Sequence, residues 1–289
     1  MNEQKTAILV DSGCDIPAEL CQELDIRVLP LRVMYPEKDY WDGVDIDPMM
    51  VYERFPDEFP STSTPTLAEA QAKLEEIRDE GFERVIAVCI SSGLSSTYNA
   101  IRLASAEVEG LKTLVFDTKN ISIGSGLFAI WAARKLKEGW TAKQVVTGMR
   151  RKLPESKVFF YMDTLTYLRR GGRIGRVAGA LGEVLKLKPI ISCDEDGTYY
   201  TVAKIRGSKF GKLRLLEEVV SYCHGHKCWI VVEEGCAHEE ALAMQEMIER
   251  NIPDATILFE KQITATMAIN TGPGLVGVAI FRDPNELPK

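Results

Sequence analysis

The chain has 289 residues, of which 45% are hydrophobic and 27% charged, and its formal net charge is −7. At roughly 100–200 residues per domain this length predicts two domains, and the negative charge disfavours nucleic acid as a partner because phosphate groups would be repelled. We expect a cytoplasmic protein without a membrane span, because there is no signal-peptide pattern, no stretch approaching about 18 apolar residues, and seven scattered cysteines that fit a reducing compartment.

The first half of the chain alternates strand-length apolar runs with helical patterns. Its predicted strands and extended segments are 6–10, 27–35, 84–90 and 112–117, and its predicted helices are 17–24, 66–80, 95–108, 122–137 and 141–153. Helix 66–80 is the clearest, because its apolar residues recur at helical spacing and Thr66 and Glu69 stand three apart, as in a capping box. The alternation predicts βαβ units and an N-terminal α/β domain, residues 1–155, with a largely parallel sheet.

The pattern changes near residue 155. The predicted elements are a strand at 157–162, a glycine-punctuated helical region, a hairpin of 189–193 and 199–205 around the turn Asp194–Gly197, helices at 210–222 and 238–250, and strands at 228–232 and 256–259. These elements predict a C-terminal α/β domain with a mixed sheet, residues 156–289. The overall fold class is therefore α/β with two domains.

Three polar stretches occur where a strand gives way to a helix or loop. They are Ser61–Thr64, Ser91–Thr97 and Asn270–Gly277. Hydroxyl groups and unpaired backbone N–H groups at helix N-termini suit an anion, although Ser and Thr also serve there simply as caps. Ser91–Thr97 follows a buried strand, and ligands of open α/β sheets bind beyond the carboxyl ends of strands.

Two common catalytic or nucleotide patterns do not fit. Gly272, Gly274 and Gly277 have dinucleotide-fingerprint spacing, but a strand-like segment follows where a helix is required. Gly93–Ser95 begins like the nucleophile elbow of a serine hydrolase, but Thr97 stands where the second glycine is needed. Neither a dinucleotide site nor a serine hydrolase is therefore favoured.

Two further clusters have a structural and a functional interpretation. Cys223, His224, His226 and Cys228, with Cys236 and His238 further on, suggest zinc, but the spacing matches no standard zinc site and we predict no metal. Four arginines crowd into the segment 169–176, where they form either a solvated face or a surface for an acidic partner.

Six segments together resemble the DegV family of bacterial fatty-acid-binding proteins. In chain order they are VDSGCDIP (10–17), TSTP (62–65), SSGLSSTYNA (91–100), DTLTYLRRGGRIG (163–175), LKPIIS (187–192) with the DGTYY that follows, and NTGPG (270–274). Each segment is weak by itself, but their order covers nearly the whole chain.

The resemblance implies a carrier of a long-chain fatty acid with no other cofactor. The carboxylate would be held by Thr62 and Ser95, with Ser92 as the other serine of that loop and Asn270 nearby. The family role is to present the fatty acid to an ATP-dependent fatty-acid kinase of the dihydroxyacetone-kinase type, which makes an acyl phosphate for phospholipid synthesis. Arg206 resembles the family's partner-contacting position, and Arg170 belongs to the arginine cluster expected on the same surface.

One position departs from the family pattern. The glycine-proline-glycine loop usually opens with histidine, whereas this chain has Asn270. Asn donates a neutral hydrogen bond but neither carries charge nor transfers a proton near neutral pH. Fatty-acid binding is therefore better supported than coupling to the kinase.

Several alternatives stay open. The apolar segments 126–136 and 178–185 line the fatty-acid tail or form ordinary core. The protein is expected to be a carrier and not an enzyme. The alternatives are an enzyme of acyl or phosphoryl transfer or hydrolysis, and a carrier of another anionic lipid.

Overall fold

A computed structural model describes residues 2–181, 187–206 and 208–285. The elements of the first half, in chain order, are β1 (Thr6–Asp11), α1 (Ala18–Leu24), β2 (Ile26–Leu29), β3 (Arg32–Met34), β4 (Asp39–Trp41), α2 (Pro48–Arg54), β5 (Ser61–Ser63), α3 (Leu67–Asp79), β6 (Arg84–Cys89), α4 (Thr97–Ala104), β7 (Lys112–Asp117), α5 (Ile123–Lys137) and α6 (Ala142–Lys152).

The elements of the second half follow without a long linker. They are β8 (Ser156–Tyr161), α7 (Thr166–Arg170), α8 (Val177–Leu181), β9 (Leu187–Cys193), β10 (Tyr199–Arg206), α9 (Ser208–Cys223), β11 (Cys228–Gly235), α10 (His238–Asn251), β12 (Ala255–Gln262), α11 (Ala265–Thr271) and β13 (Leu275–Arg282). Across the described residues no helix is both long enough and apolar enough to cross a bilayer.

A four-stranded parallel sheet organises the first half, as predicted. Its order is β2-β1-β6-β7, and every pairing is parallel. Helices α3 and α4 cover one face and α5 covers the other, so alternate residues of the central strands are buried on opposite sides. The capping box at Thr66 and Glu69 is confirmed, because each side chain accepts from the other's backbone N–H.

A small antiparallel sheet in the first half was not predicted. Strands β4, β3 and β5 have three residues each, and β3 lies in the middle. Three residues are too few to produce a readable alternation of apolar and polar side chains. This sheet matters for the site, because Thr62 in β5 pairs with the buried Val33 of β3.

A six-stranded mixed sheet organises the second half. Its order is β10-β9-β8-β13-β11-β12, in which β11 and β12 are parallel and the other pairs antiparallel. The predicted hairpin is confirmed as β9 and β10. This sheet begins at Ser156, and a domain division near residue 155 stays a prediction.

Helix α5 lies in the core between the two large sheets. Phe128 and Trp131 of this helix are buried and pack against Phe281 of β13. Segment 126–136 is thus part of the main hydrophobic core, in agreement with the interpretation of this segment as ordinary core. The other segment, 178–185, lies partly outside the described residues, since 182–186 are not among them.

The stretch around Asn270 differs from its predicted setting. The sequence placed this stretch where a strand gives way to a helix or loop, but helix α11 precedes it and ends at Thr271, so Asn270 lies in the last turn of that helix. Gly272 then leaves the helix with φ of 73°, and β13 begins at Leu275. The carbonyl end of a helix does not attract an anion. Any contact from Asn270 to a ligand must therefore come from its side chain.

Candidate functional site

A pocket lies where the loop after β6 meets β5, α11 and the loop after α7. Its empty volume is about 520 Å³, a figure that includes the part open to solvent. One part of the wall is apolar, with Leu31, Ile90, Leu94, Ile121 and Met267 among its residues. Its polar residues include Thr62, Ser95, Thr266, Asn270 and Arg173. The pocket therefore combines an apolar wall with a few converging donors.

Thr62 reaches the pocket from the middle of the edge strand β5. The pairing of Thr62 with Val33 fixes its backbone. Its side chain is half-buried, and within the part of the chain that the structure describes its hydroxyl has no hydrogen-bond partner. An unpaired hydroxyl at the pocket wall is available to donate to a bound molecule.

Ser95 reaches the pocket from the turn before α4. The turn is closed by backbone hydrogen bonds of 3.0 Å from Leu94 and Ser95 to the carbonyl of Ser91. The Ser95 hydroxyl lies 2.8 Å from the Thr97 hydroxyl and accepts from the backbone N–H of Thr97 at 3.3 Å. A hydroxyl has one proton and two lone pairs, so Ser95 can accept from Thr97 and donate its own proton to a ligand.

Ser92 belongs to the same loop but has a different role. Its hydroxyl donates to Asp117 at 2.5 Å, and its backbone N–H donates to the same carboxylate at 3.1 Å. Burial alone would raise the pKa of Asp117, but hydrogen bonds from Lys119 and Ser92 outweigh burial and lower it. Ser92 is therefore committed to an ionised carboxylate and does not line the pocket with Ser95.

Asn270 lines the pocket, but its side chain is partly engaged in another hydrogen bond. Its Nδ2 donates to the carbonyl of Thr266 at 2.9 Å, one turn back in α11. Its Oδ1 is buried without a hydrogen-bond partner within the described residues. One amide hydrogen and one acceptor of Asn270 thus remain for a ligand or a water molecule.

Arg173 is the pocket residue that sequence analysis misplaced. The whole arginine cluster was expected on the surface, but Arg173 is half-buried and lines the pocket. Its guanidinium donates to the carbonyl of Gly171 at 2.7 Å and lies 3.5 Å from that of Leu94. Within the described residues no carboxylate pairs with it. A possible signal was the glycine pair before it, since Gly172 with φ of 71° lets the chain turn back.

The other arginines of the cluster do lie on the surface. Arg176 forms ion pairs with Asp194 and Asp196, at 2.6 and 2.7 Å. Arg170 is exposed, and its guanidinium stacks over the Phe59 ring at 3.6 Å from the centroid. The side chain of Arg206, the other predicted partner contact, lies outside the described residues, although its backbone ends β10.

The histidines are directed elsewhere. Nδ1 of His226 lies 2.6 Å from Asp283, and Nδ1 of His238 lies 3.4 Å from Glu260. Among the described residues that line the pocket there is no histidine to activate Ser95. A Ser–His pair, which a serine hydrolase needs, is not formed by these residues.

Comparison with known proteins identifies the family. Residues 5–283 match the family described as "Uncharacterised protein, DegV family". The chain belongs to the DegV family. A DegV domain-containing protein of Clostridium acetobutylicum is 37% identical over 279 residues, covering 96% of this chain and 99% of the relative. Protein DegV of Bacillus subtilis is 27% identical and covers 94% of this DegV-family chain and 97% of its own length.

Solved structures of the DegV family have the same fold. A DegV-family protein of Thermus thermophilus, described as fatty acid binding, matches with a TM-score of 0.90 at 27% identity, over 98% of this chain and 100% of that one. A stearic acid-binding protein of Eubacterium ventriosum matches with a TM-score of 0.88 at 26% identity, over 97% and 99% of the two chains. The predicted α/β fold class is thereby confirmed.

Proposed function

We propose that this chain binds a long-chain fatty acid, with its carboxylate among Thr62, Ser95 and Arg173. The observation that supports this most directly is the unpaired Thr62 hydroxyl, which lines one pocket with Ser95 and with an arginine that has no carboxylate partner among the described residues. A buried carboxylate needs several donors, and charge-assisted hydrogen bonds are the strongest that a protein offers. The fatty-acid-binding relatives with the same fold support the ligand class.

The acyl tail would supply most of the affinity. Each buried CH₂ group contributes about 0.8 kcal/mol, so a tail of about 16 carbons outweighs the head group. The apolar part of the pocket wall, formed by residues such as Leu31, Ile90 and Met267, is where that tail would begin. The head-group donors would then fix its orientation and select for an acid.

We further propose that the protein is a carrier that presents its fatty acid to a fatty-acid kinase for acyl-phosphate formation. The pocket residues offer donors and a charge but no nucleophile paired with a base, which favours binding over catalysis. Arg206 and the exposed Arg170 are the proposed kinase contacts. An enzyme of acyl or phosphoryl transfer would instead turn over its substrate without any partner.

The direct test is organic extraction of protein purified gently from a bacterial host, followed by mass spectrometry. We expect roughly one fatty acid per chain, because an acyl tail that the protein has bound is unfavourable in contact with water and should stay with it during purification. Recovery of a phospholipid or an isoprenoid acid instead would favour the carrier of another anionic lipid. If no lipid is recovered and added fatty acid is not taken up, the proposed function is wrong.

A further inference from the structure

Three buried polar side chains form a hydrogen-bonded row, which we call the Asp15–Ser122–Glu233 triad, where the two large sheets meet α5. Ser122 is the N-cap of α5, and its hydroxyl contacts the carboxyl groups of both Asp15 and Glu233. The distance from Ser122 Oγ to Glu233 Oε1 is 2.7 Å, and all three side chains are at most 1% exposed. Asp15 follows β1 and Glu233 lies in β11, so the triad joins the four-stranded sheet to the six-stranded sheet.

The number of protons shared by the triad follows from its geometry. The Ser122 hydroxyl has one proton and can donate to only one of the two carboxyl groups. If both carboxyl groups were ionised, the carboxylate that receives no proton from Ser122 would direct its lone pairs at those of the hydroxyl oxygen. No solvent is present there to relieve that repulsion. A protonated carboxyl group that donates to Ser122 removes this repulsion, because Ser122 can then donate its own proton to the other carboxylate. The backbone of Ser122, at φ of 53°, is held in a conformation that non-glycine residues rarely adopt.

Of the two carboxyl groups, that of Glu233 is in the less favourable place for a negative charge. Its Oε1 accepts from the backbone N–H of Ile123 at 2.9 Å, but its Oε2 is buried with no partner among the described residues, an unfavourable place for charge. Burial and the charge of Asp15 raise the pKa of Glu233 to about 8. Burial also raises the pKa of Asp15, but Lys261 and the hydrogen bonds from Ser122 and Thr264 act against it. Asp15 is the member better supplied with donors.

The residues around the triad are mostly acidic. Asp11 is buried within reach of the charges of Asp15 and Asp42, the charge of Glu233 acts on Tyr199, and the charge of Lys261 acts on both carboxyl groups. A second buried charge would therefore add repulsion that one lysine offsets only in part.

We propose that Glu233 is protonated and donates a hydrogen bond to Ser122, that Ser122 donates its own proton to Asp15, and that these two hydrogen bonds join the two large sheets. Loss of the Glu233 proton at higher pH weakens this junction. The effect extends to the pocket, because Asp15 also accepts from the backbone N–H of Thr264 at 2.9 Å. Thr264 is the N-cap of α11, which supplies Thr266, Met267 and Asn270 to the pocket wall. This last link, from the junction to the ligand, rests on the proposed function.

The test compares the parent with Glu233→Gln by urea unfolding, without fatty acid, across pH 5–9. The folded state keeps a proton that the unfolded state has lost between the ordinary pKa of 4.5 and the raised pKa of about 8. The contribution of Glu233 to the free energy of unfolding is therefore complete below pH 4.5, and it is lost as the pH rises toward 8. We expect the folding constant of the parent, relative to the variant, to fall by up to about tenfold per pH unit in that window. Equal pH slopes would overturn the proposal.

The pH slope is the measurement, and not absolute stability, because Gln cannot accept and donate through one atom as the acid does. Glu239→Gln, which changes an exposed acid in the first turn of α10, should keep the slope of the parent. A second measurement needs no variant. In parent protein labelled with carbon-13 at the glutamate carboxyl carbons, one resonance should stay protonated at pH 7 and titrate near 8. Ionisation of every glutamate at pH 7 would overturn the proposal.

The pocket is tested separately by fatty-acid affinity at pH 7 and pH 9. We expect affinity to fall more in the parent than in Glu233→Gln. An equal fall in both proteins would remove the link to the pocket. Failure of both proteins to bind any fatty acid would reject the proposed function, while the unfolding and carbon-13 results would still decide whether the proton joins the sheets.

Discussion

The two walls of the pocket offer different chemical groups to the fatty-acid carboxylate that we propose binds there. The wall from the first half of the chain offers the neutral hydroxyls of Thr62 and Ser95, held by a strand pairing and a helix-initiating turn. The wall from the second half offers the charge of Arg173 and the amide of Asn270. Hydroxyls give direction at little desolvation cost, whereas a guanidinium gives charge and several donors. The difference suggests that the first wall positions the head group and the second supplies attraction.

The largest effect should come from removing the charge of the second wall. Arg173→Ala is expected to weaken fatty-acid binding by about 2–3 kcal/mol, because hydrogen bonds to charged groups contribute the most. Isothermal titration with a long-chain fatty acid measures this, and Arg169→Ala is the matched control because that arginine is exposed. Arg173→Lys should restore only part of the affinity, since Lys lacks the planar fork. Unchanged binding in Arg173→Ala would place the head group elsewhere.

The hydroxyls of the first wall should have a smaller effect. Thr62→Val and Ser95→Ala are each expected to cost about 1–2 kcal/mol of binding free energy, because an ionised carboxylate loses one neutral donor. Ser92→Ala is the control from the same loop, since its hydroxyl serves Asp117. It should reduce thermal stability and leave affinity unchanged. Equal losses of affinity in Ser92→Ala and Ser95→Ala would contradict the different roles assigned to these serines.

Asn270 should have the smallest effect. Its amide already donates to the carbonyl of Thr266, so Asn270→Ala is expected to cost about 1 kcal/mol of binding free energy. Asn270→His should bind more tightly than the parent below about pH 6.5, where a histidine gains charge, and similarly above it. Affinities of the three proteins from pH 6 to 8 test this. A histidine variant with the same pH profile as the parent would show that position 270 does not face the carboxylate.

The secondary structure that sequence analysis predicted correctly is local. The helix at 66–80 was readable because its capping box and apolar spacing lie within one segment, and the hairpin of β9 and β10 because turn residues separate two strand-like runs. The small sheet that holds Thr62 was missed, because three-residue strands have no usable period. Helix α11 was also missed, so Asn270 was expected to follow a strand, whereas it lies in the last turn of a helix.

The family segments already placed Thr62, Ser95 and Asn270 near one ligand, and all three line one pocket. Sequence could not separate Ser92 from Ser95, because the partner of Ser92 is Asp117, 25 positions away. Nor could it separate Arg173 from Arg170 and Arg176, which have the same chemistry and occupy one short segment. Only the path of the chain through the glycine pair gives these three arginines different neighbours.

The sequence by itself determined the alternating strands and helices, the buried faces of the central strands and the family membership, because these depend on residue type and short-range order. Tertiary structure alone decided which polar groups share a neighbour. Ser122 meets Asp15, 107 positions before it, and Glu233, 111 positions after it, at the junction of two sheets. Hydrogen bonds and protonation depend on distances of a few ångströms between such groups, and separation along the chain does not encode those distances.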